Sequence, residues 1–420
     1  MSIKKILLVI GFIIVTIAFG VLIYFVFIRD LVGPADTNEN VNVVTNVNGA
    51  LPVINGADNT NRVTVKNINV PIDITPSTNV NIEGPSDIAI GGDTIAEPIV
   101  TTSVQAAEPA KSGSGIRFYD ETRDKFYRVD EFGSKIELSE QKFPRATDIS
   151  WSPTEDKAII TFPDGSTILY DFDADSQITL PKDWDDIEFS PTGSKVAFKN
   201  LSENENDRWL AIANPDGSEI QLVESLGDKA NDVDVNWSPN GQVVALFRES
   251  VTGTAQEVYP IGIYGENFKS VLTNGRGFEG TWSADSSQLL YSVFSADTNY
   301  NPMLYLVDAS GDYTGGNTMK LGLKTWSYKC TFSENAQAAY CAVPKSLKTG
   351  TGLAPNVTEN TNDIIYKIDT NTGAKSIIAI PDFQGSDEEY NISSVFLSND
   401  EHFLYLRNAN TGNIHSIQLR

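Results

Sequence analysis

Six times after residue 150 of this 420-residue chain, an aromatic or a leucine is followed by Ser, then by a short polar turn and an apolar run. Trp151-Ser152-Pro153 precedes Ala158–Phe162, Phe189-Ser190-Pro191-Thr192-Gly193 precedes Val196–Phe198, and Trp237-Ser238-Pro239-Asn240-Gly241 precedes Val243–Phe247. Trp282-Ser283-Ala284-Asp285, Phe332-Ser333-Glu334-Asn335 and Leu397-Ser398-Asn399-Asp400 stand in the same register before Leu289–Val293, Ala338–Val343 and Phe403–Leu406. The anchors lie 38, 48, 45, 50 and 65 residues apart. A period of about 40–50 residues, each unit holding several short strand patterns, suits a four-stranded propeller blade. The Ser-Pro and Asn/Asp-Gly pairs set tight turns and the aromatic packs between neighbouring units. The anchor is therefore structural rather than a site.

Each anchor unit carries a second strand ending in a turn, such as Ile168–Asp171, Leu304–Asp308 and Ile365–Asp369 followed by Thr372-Gly373. With these residues the chain resembles the TolB-like family of WD-like repeat propellers over residues 114–420. The resemblance implies an all-β propeller and little about activity. Ala284, Glu334 and Asn399 replace the motif proline, and no second domain flanks the repeats. Seven blades are expected, with six the alternative, and the ring is expected to close with strands from both chain ends, including Ile99–Val104.

Upstream the composition changes. Ile6–Ile28 is a run of 23 residues without a charge, preceded by Lys4 and Lys5. As a helix it spans roughly 35 Å, enough for a hydrocarbon core of about 30 Å. The positive-inside bias places the N-terminus in the cytoplasm and the remainder outside the cell membrane. A cleaved secretory signal is the competing reading, and it exports the same portion. Residues 33–113 contain no Trp, Tyr, Phe, Cys or His and are interrupted by prolines from Pro34 to Pro109. Such a segment cannot offset its chain entropy by burial, so a disordered stalk is expected. The expected division is an anchor over 1–30, a stalk over 31–113 and a propeller over 114–420.

Chemical candidates are few. The formal charge of −24 and the absence of a basic stripe exclude a nucleic-acid partner. Cys330 and Cys341 flank the Phe332 turn where antiparallel pairing sets them opposite, giving either a cross-strand disulfide or two buried thiols. Neither CxxC nor HxxxH spacing is present to make a metal site with His402 and His415. Those two histidines are the only possible catalytic bases and read as surface or packing residues; no GxSxG elbow occurs. Asp171-Phe172-Asp173-Ala174-Asp175 opens like a calcium loop but lacks the sixth-position Gly and has Lys182 where a bidentate Glu belongs, so it reads as an acidic hairpin. Asp183, Asp185 and Asp186, with Asp232 and Asp234, precede anchors and read either as solvated loop carboxylates or as groups facing the central channel, where they could bind a cation. The insertion from Lys345 to Asp363 is expected to be mobile, a recognition element or a tolerated loop.

The resulting expectation is a single-pass membrane protein, not an enzyme, with no catalytic, cofactor or metal residues. Its propeller binds or scaffolds a protein or glycan at the cell surface. The alternative is a hydrolase or lyase using channel-mouth carboxylates such as Asp185 and Asp234.

Overall fold

The computed structural model describes residues 36–37, 85–111, 115–130, 133–355, 361–383 and 390–420. The expected anchor over 6–28 and nearly all of residues 31–84 lie outside them. Among the described residues no helix is long and apolar enough to cross a membrane. Seven four-stranded antiparallel sheets follow one another around a ring, so the chain is an all-β seven-bladed propeller.

Blade 1 is built from Val104–Pro109, Ile116–Asp120, Lys125–Val129 and Lys135–Glu137. Blades 2 and 3 begin at their innermost strands Asp148–Trp151 and Trp184–Phe189; blades 4, 5 and 6 begin at Val233–Val235, Arg276–Trp282 and Cys330–Phe332. Blade 7 runs Ile392–Leu397, Phe403–Asn408 and Ile414–Gln418, and takes its outermost strand, Glu97–Val100, from the other end of the chain. Asp93–Ile95 adds a fifth, parallel strand to the outside of blade 6.

The expected boundary at 114 is therefore corrected. Residues 93–109 supply the closing strand of blade 7 and the inner strand of blade 1, and Ala96, Val100 and Val104 are buried. The closing strand expected over Ile99–Val104, inside the segment assigned to the stalk, is observed over Glu97–Val100, where Pro98 is tolerated on a sheet edge.

Burial across a blade explains the apolar pattern. Second strands are covered on both faces by neighbouring blades, so Ala158–Ile160, Val196–Phe198 and Ala338–Val343 read as unbroken apolar runs. Outer strands such as Gln221–Ser225 are mostly exposed and polar. Seven apolar clusters form, each joining two successive blades. The richest in aromatics lies between blades 1 and 2, where Trp151 and Phe143 meet Phe126 edge-on at 5.3 and 5.0 Å. The last cluster sets Val100, Val104 and Phe118 against Phe396 and Tyr405, across the closure.

The turn motif has a hydrogen-bond reason that does not need proline. Ser238 Oγ accepts the N–H of Val243 at 2.9 Å and donates to Asn240 Oδ1 at 2.7 Å. Ser283 with Asp285, Ser333 with Asn335 and Ser398 with Asp400 repeat the pair, so Ala284, Glu334 and Asn399 cost the turn little.

Two further expectations meet the structure here. Cys330 and Cys341 are directly paired across the strands and form a disulfide, closing a loop of 11 residues. The insertion expected to be mobile is docked over residues 345–355: the N–H groups of Gly350 and Gly352 donate to Asn299 and Tyr300 carbonyls at 2.8 Å, and Leu347 and Thr351 are buried. Polar connections settle when a neighbouring blade offers backbone partners.

Two outcomes test this account. A fragment of residues 114–420 loses the closing and first inner strands and should unfold non-cooperatively, whereas 85–420 should show one sharp thermal transition. Equal transitions would contradict closure by residues 93–109. Replacing both cysteines by Ala should lower stability by about 3 kcal/mol, the loop-closure value for such a ring, read by urea denaturation.

Candidate functional site

Three residues before each anchor aromatic, the inner strand carries a recurring position. It holds Asp148, Asp186, Asp234 and Glu279 in blades 2 to 5, Lys329 in blade 6 and Ser394 in blade 7. Inner strands have no strand neighbour on the channel side, so their free backbone edge faces the channel and side chains at this position can reach the edge of an adjoining blade. The carboxylates act on one another: across blade boundaries Asp186 raises the pKa of Asp148 and Asp234, and Asp234 that of Glu279, while on its own strand Asp186 raises that of Glu188. In each of these four groups burial is the largest cause of the rise. Glu188 is pushed up to about 8 and Glu279 to about 7.

Some of these groups have a structural task. The free edge of the blade 4 inner strand points N–H groups at the channel, and blade 3 supplies the acceptors. Val235 N–H donates to Asp186 Oδ2 at 2.9 Å and Trp237 N–H to Glu188 Oε2 at 3.1 Å. Blade 6 serves blade 7 similarly. Buried Asp363 accepts the Ile392 N–H at 2.6 Å and binds the Lys329 ammonium at 2.9 and 3.0 Å, while Lys329 also donates to Asn391 Oδ1 at 3.2 Å. This pair occupies the position that is acidic in blades 2 to 5 and ends the carboxylate arc.

Counter-charges come from second strands. Lys199 lies 3.1 Å from Asp186, and Arg248 donates to Asp234 at 3.0 Å. At the seam of blades 4 and 5, three buried polar atoms have no hydrogen-bond partner: Arg248 Nε, Glu279 Oε2 and Trp282 Nε1. The matching indoles elsewhere are satisfied, Trp151 by the Ala106 carbonyl at 2.7 Å and Trp237 by that of Glu188 at 3.3 Å. The seam thus offers two donors and one acceptor beside the paired Asp234.

Of the sequence candidates, Asp186 and Asp234 join this arc. Asp185 lies exposed at its rim, 3.9 Å from Lys199, and Asp183 and Asp232 are also exposed. Asp148 and Glu279 were missed, although their fixed offset from the anchor was readable; Glu188, one residue before Phe189, was missed as well and has no such offset. Glu108, beside Arg117 on blade 1, had no such signal.

The remaining candidates lie elsewhere. His402 is exposed on the blade 7 turn with Nδ1 2.9 Å from Asp400. His415 is buried against Tyr390, whose hydroxyl is 2.6 Å from Nδ1, and burial lowers its pKa to about 4. Asp171 accepts the Ala174 N–H within a hairpin and pairs with Lys157 at 3.2 Å. Among the described residues no group of three or more His, Cys, Asp or Glu side chains is arranged to hold a metal ion.

No family model matches the chain, and no curated protein matches it. Solved structures do. Hydrazine synthase of Kuenenia stuttgartiensis superposes with a TM-score of 0.50 at 13% identity, covering 81% of this chain and 98% of that one. The β-propeller domain of Cps50 (Swd1) from Myceliophteria thermophila gives 0.49 at 12%, over 77% and 100%. An oligogalacturonate lyase in complex with manganese gives 0.47 at 10%, over 77% and 90%. Such distant likeness shows the fold alone. It also corrects the expectation that the chain is not an enzyme: a hydrazine synthase has this fold, so the fold does not exclude catalysis.

Glu188 gives a pH test with a defined sign. Its folded pKa lies above its ordinary value of 4.5, so the folded state holds the proton more tightly. The resulting stabilisation is complete below about pH 4.5 and is lost as pH rises through 8. Glu188→Gln keeps an acceptor for Trp237 and cannot ionise. Its Tm relative to the parent should therefore rise between pH 5 and 9; parallel profiles would refute the shifted carboxyl.

Proposed function

We propose that the chain is a membrane-tethered, TolB-like propeller outside the cytoplasm that acts as a binding or scaffold module for a protein or glycan. In this reading the channel mouth receives a cationic group of a protein partner. The observation that carries it is the arc of Asp148, Asp186, Asp234 and Glu279 on four successive blades, with Glu279 Oε2 left without a partner. Low-dielectric walls strengthen such a field. A bound cation would also draw protons off the raised carboxyls, so binding should tighten from pH 6 to 8 and weaken with salt. The Cys330–Cys341 disulfide supports an oxidising compartment.

The test is titration of the full chain with a lysine-rich peptide. About tenfold weaker binding is expected for Asp234→Asn combined with Glu279→Gln, and pH-independent or salt-independent binding would refute the reading.

One observation favours a catalytic second reading: a carboxyl with a pKa of about 7 and a free oxygen beside Arg248 has the poise of a general acid or base. Turnover of a polysaccharide or peptide, abolished by Glu279→Gln with folding intact, would establish it.

A further inference from the structure

On the face opposite the start of the inner strands, a groove of 380 Å³ lies between blades 5 and 6. Tyr313 stands at one side, 75% exposed and outside every apolar cluster. The remaining wall is almost wholly polar and includes the carboxamides of Gln288, Asn335 and Gln337, with no Lys or Arg.

The backbone that carries Tyr313 is held in place. Its turn is braced internally by Gly316 N–H to the Tyr313 carbonyl at 2.8 Å and Gly315 N–H to the Asp308 carbonyl at 2.9 Å. From blade 4, Lys269 donates to the Asp312 carbonyl at 2.6 Å. Gly315 has φ of +83°, and a Cβ there would meet the Ser270 carbonyl oxygen at 2.5 Å, so the two loops are in close contact. Across the groove Gln288 Nε2 donates to the Thr370 carbonyl at 3.3 Å, and Thr370 Oγ1 to that of Ala336 at 2.7 Å. Asn335 uses its Oδ1 on Ser333 and Gln337, leaving Nδ2 available, and the Gln337 carboxamide has no hydrogen bond among the described residues.

We infer that this groove binds a neutral sugar unit of a glycan. A pyranose ring presents C–H groups on one face, which pack on an aromatic ring, and hydroxyls on its edge that both donate and accept. Carboxamides supply one donor group and one acceptor group each, the matching set for such an edge. An anionic sugar would find no cation here. The two carboxylates, Asp285 and Asp308, are already engaged by Ser287 and by Asn317. An apolar ligand would have little more than the Tyr313 ring. An aromatic ring on a braced turn has only its two side-chain torsions to lose on binding, so even a small groove can select a ligand.

This site extends the binding reading to a second face and is separable from the channel. The full chain is titrated calorimetrically with neutral oligosaccharides of glucose, galactose, mannose and N-acetylglucosamine, and with galacturonic acid oligomers. Binding of at least one neutral series is expected, at least tenfold weaker in Tyr313→Ala, restored in Tyr313→Trp and weakened in Gln337→Ala. Tyr264→Ala on the neighbouring loop and Asp234→Asn in the channel should leave it unchanged. No neutral binding, binding of acidic oligomers only, or affinity indifferent to Tyr313→Ala would each overturn the inference. Asp234→Asn reports on the channel alone, so either reading can fail by itself.

Discussion

The antiparallel pairing of Glu97–Val100 with Ile414–Gln418 joins segments more than three hundred residues apart, and the ring depends on it. A blade buries both faces of its middle strands only if it has a neighbour on each side. An open ring would leave Val104, Ile116, Phe118 and Tyr405 of the last cluster facing water. Closure therefore protects the whole circle, and the residues that achieve it carry little hydrophobic weight themselves.

A second constraint operates at the centre. Inner strands converge without a strand partner on the channel side, and unpaired backbone N–H groups there must be satisfied. Asp186, Glu188 and Asp363 do this across blade boundaries. The same choice gathers carboxyls near the inner edges, where burial pushes Glu188 up to about 8 and Glu279 up to about 7. Structural bracing and chemical potential thus come from one set of side chains. The seam between blades 4 and 5 is the exception, since Glu279, Arg248 and Trp282 keep buried atoms without a structural partner.

Much of this was legible before any coordinates. The anchors, their register and the Cys330–Cys341 pairing follow from local turn chemistry, and the structure repeats them blade by blade. A closing strand over Ile99–Val104 was expected, but the domain boundary was set after it, because an edge strand with Pro98 carries no aromatic and no strong alternation to extend the repeat pattern upstream. Asp186 and Asp234 were recognised as channel candidates, while Asp148 and Glu279 were not, since a carboxylate beside a turn looks the same whether it faces solvent or a channel.

What the amino-acid order determined by itself was the repeating unit: strand, Ser-braced turn, apolar strand, and the spacing that makes each unit a blade. These are short-range matters of periodicity and hydrogen bonding within about ten residues. Only the tertiary structure decided between seven blades and six, the register of the closing strand, the docking of residues 345–355 and the meeting of carboxylates from four blades. Each of those depends on groups brought together across tens to hundreds of residues, where local preference is silent and the closed circle alone sets who is neighbour to whom.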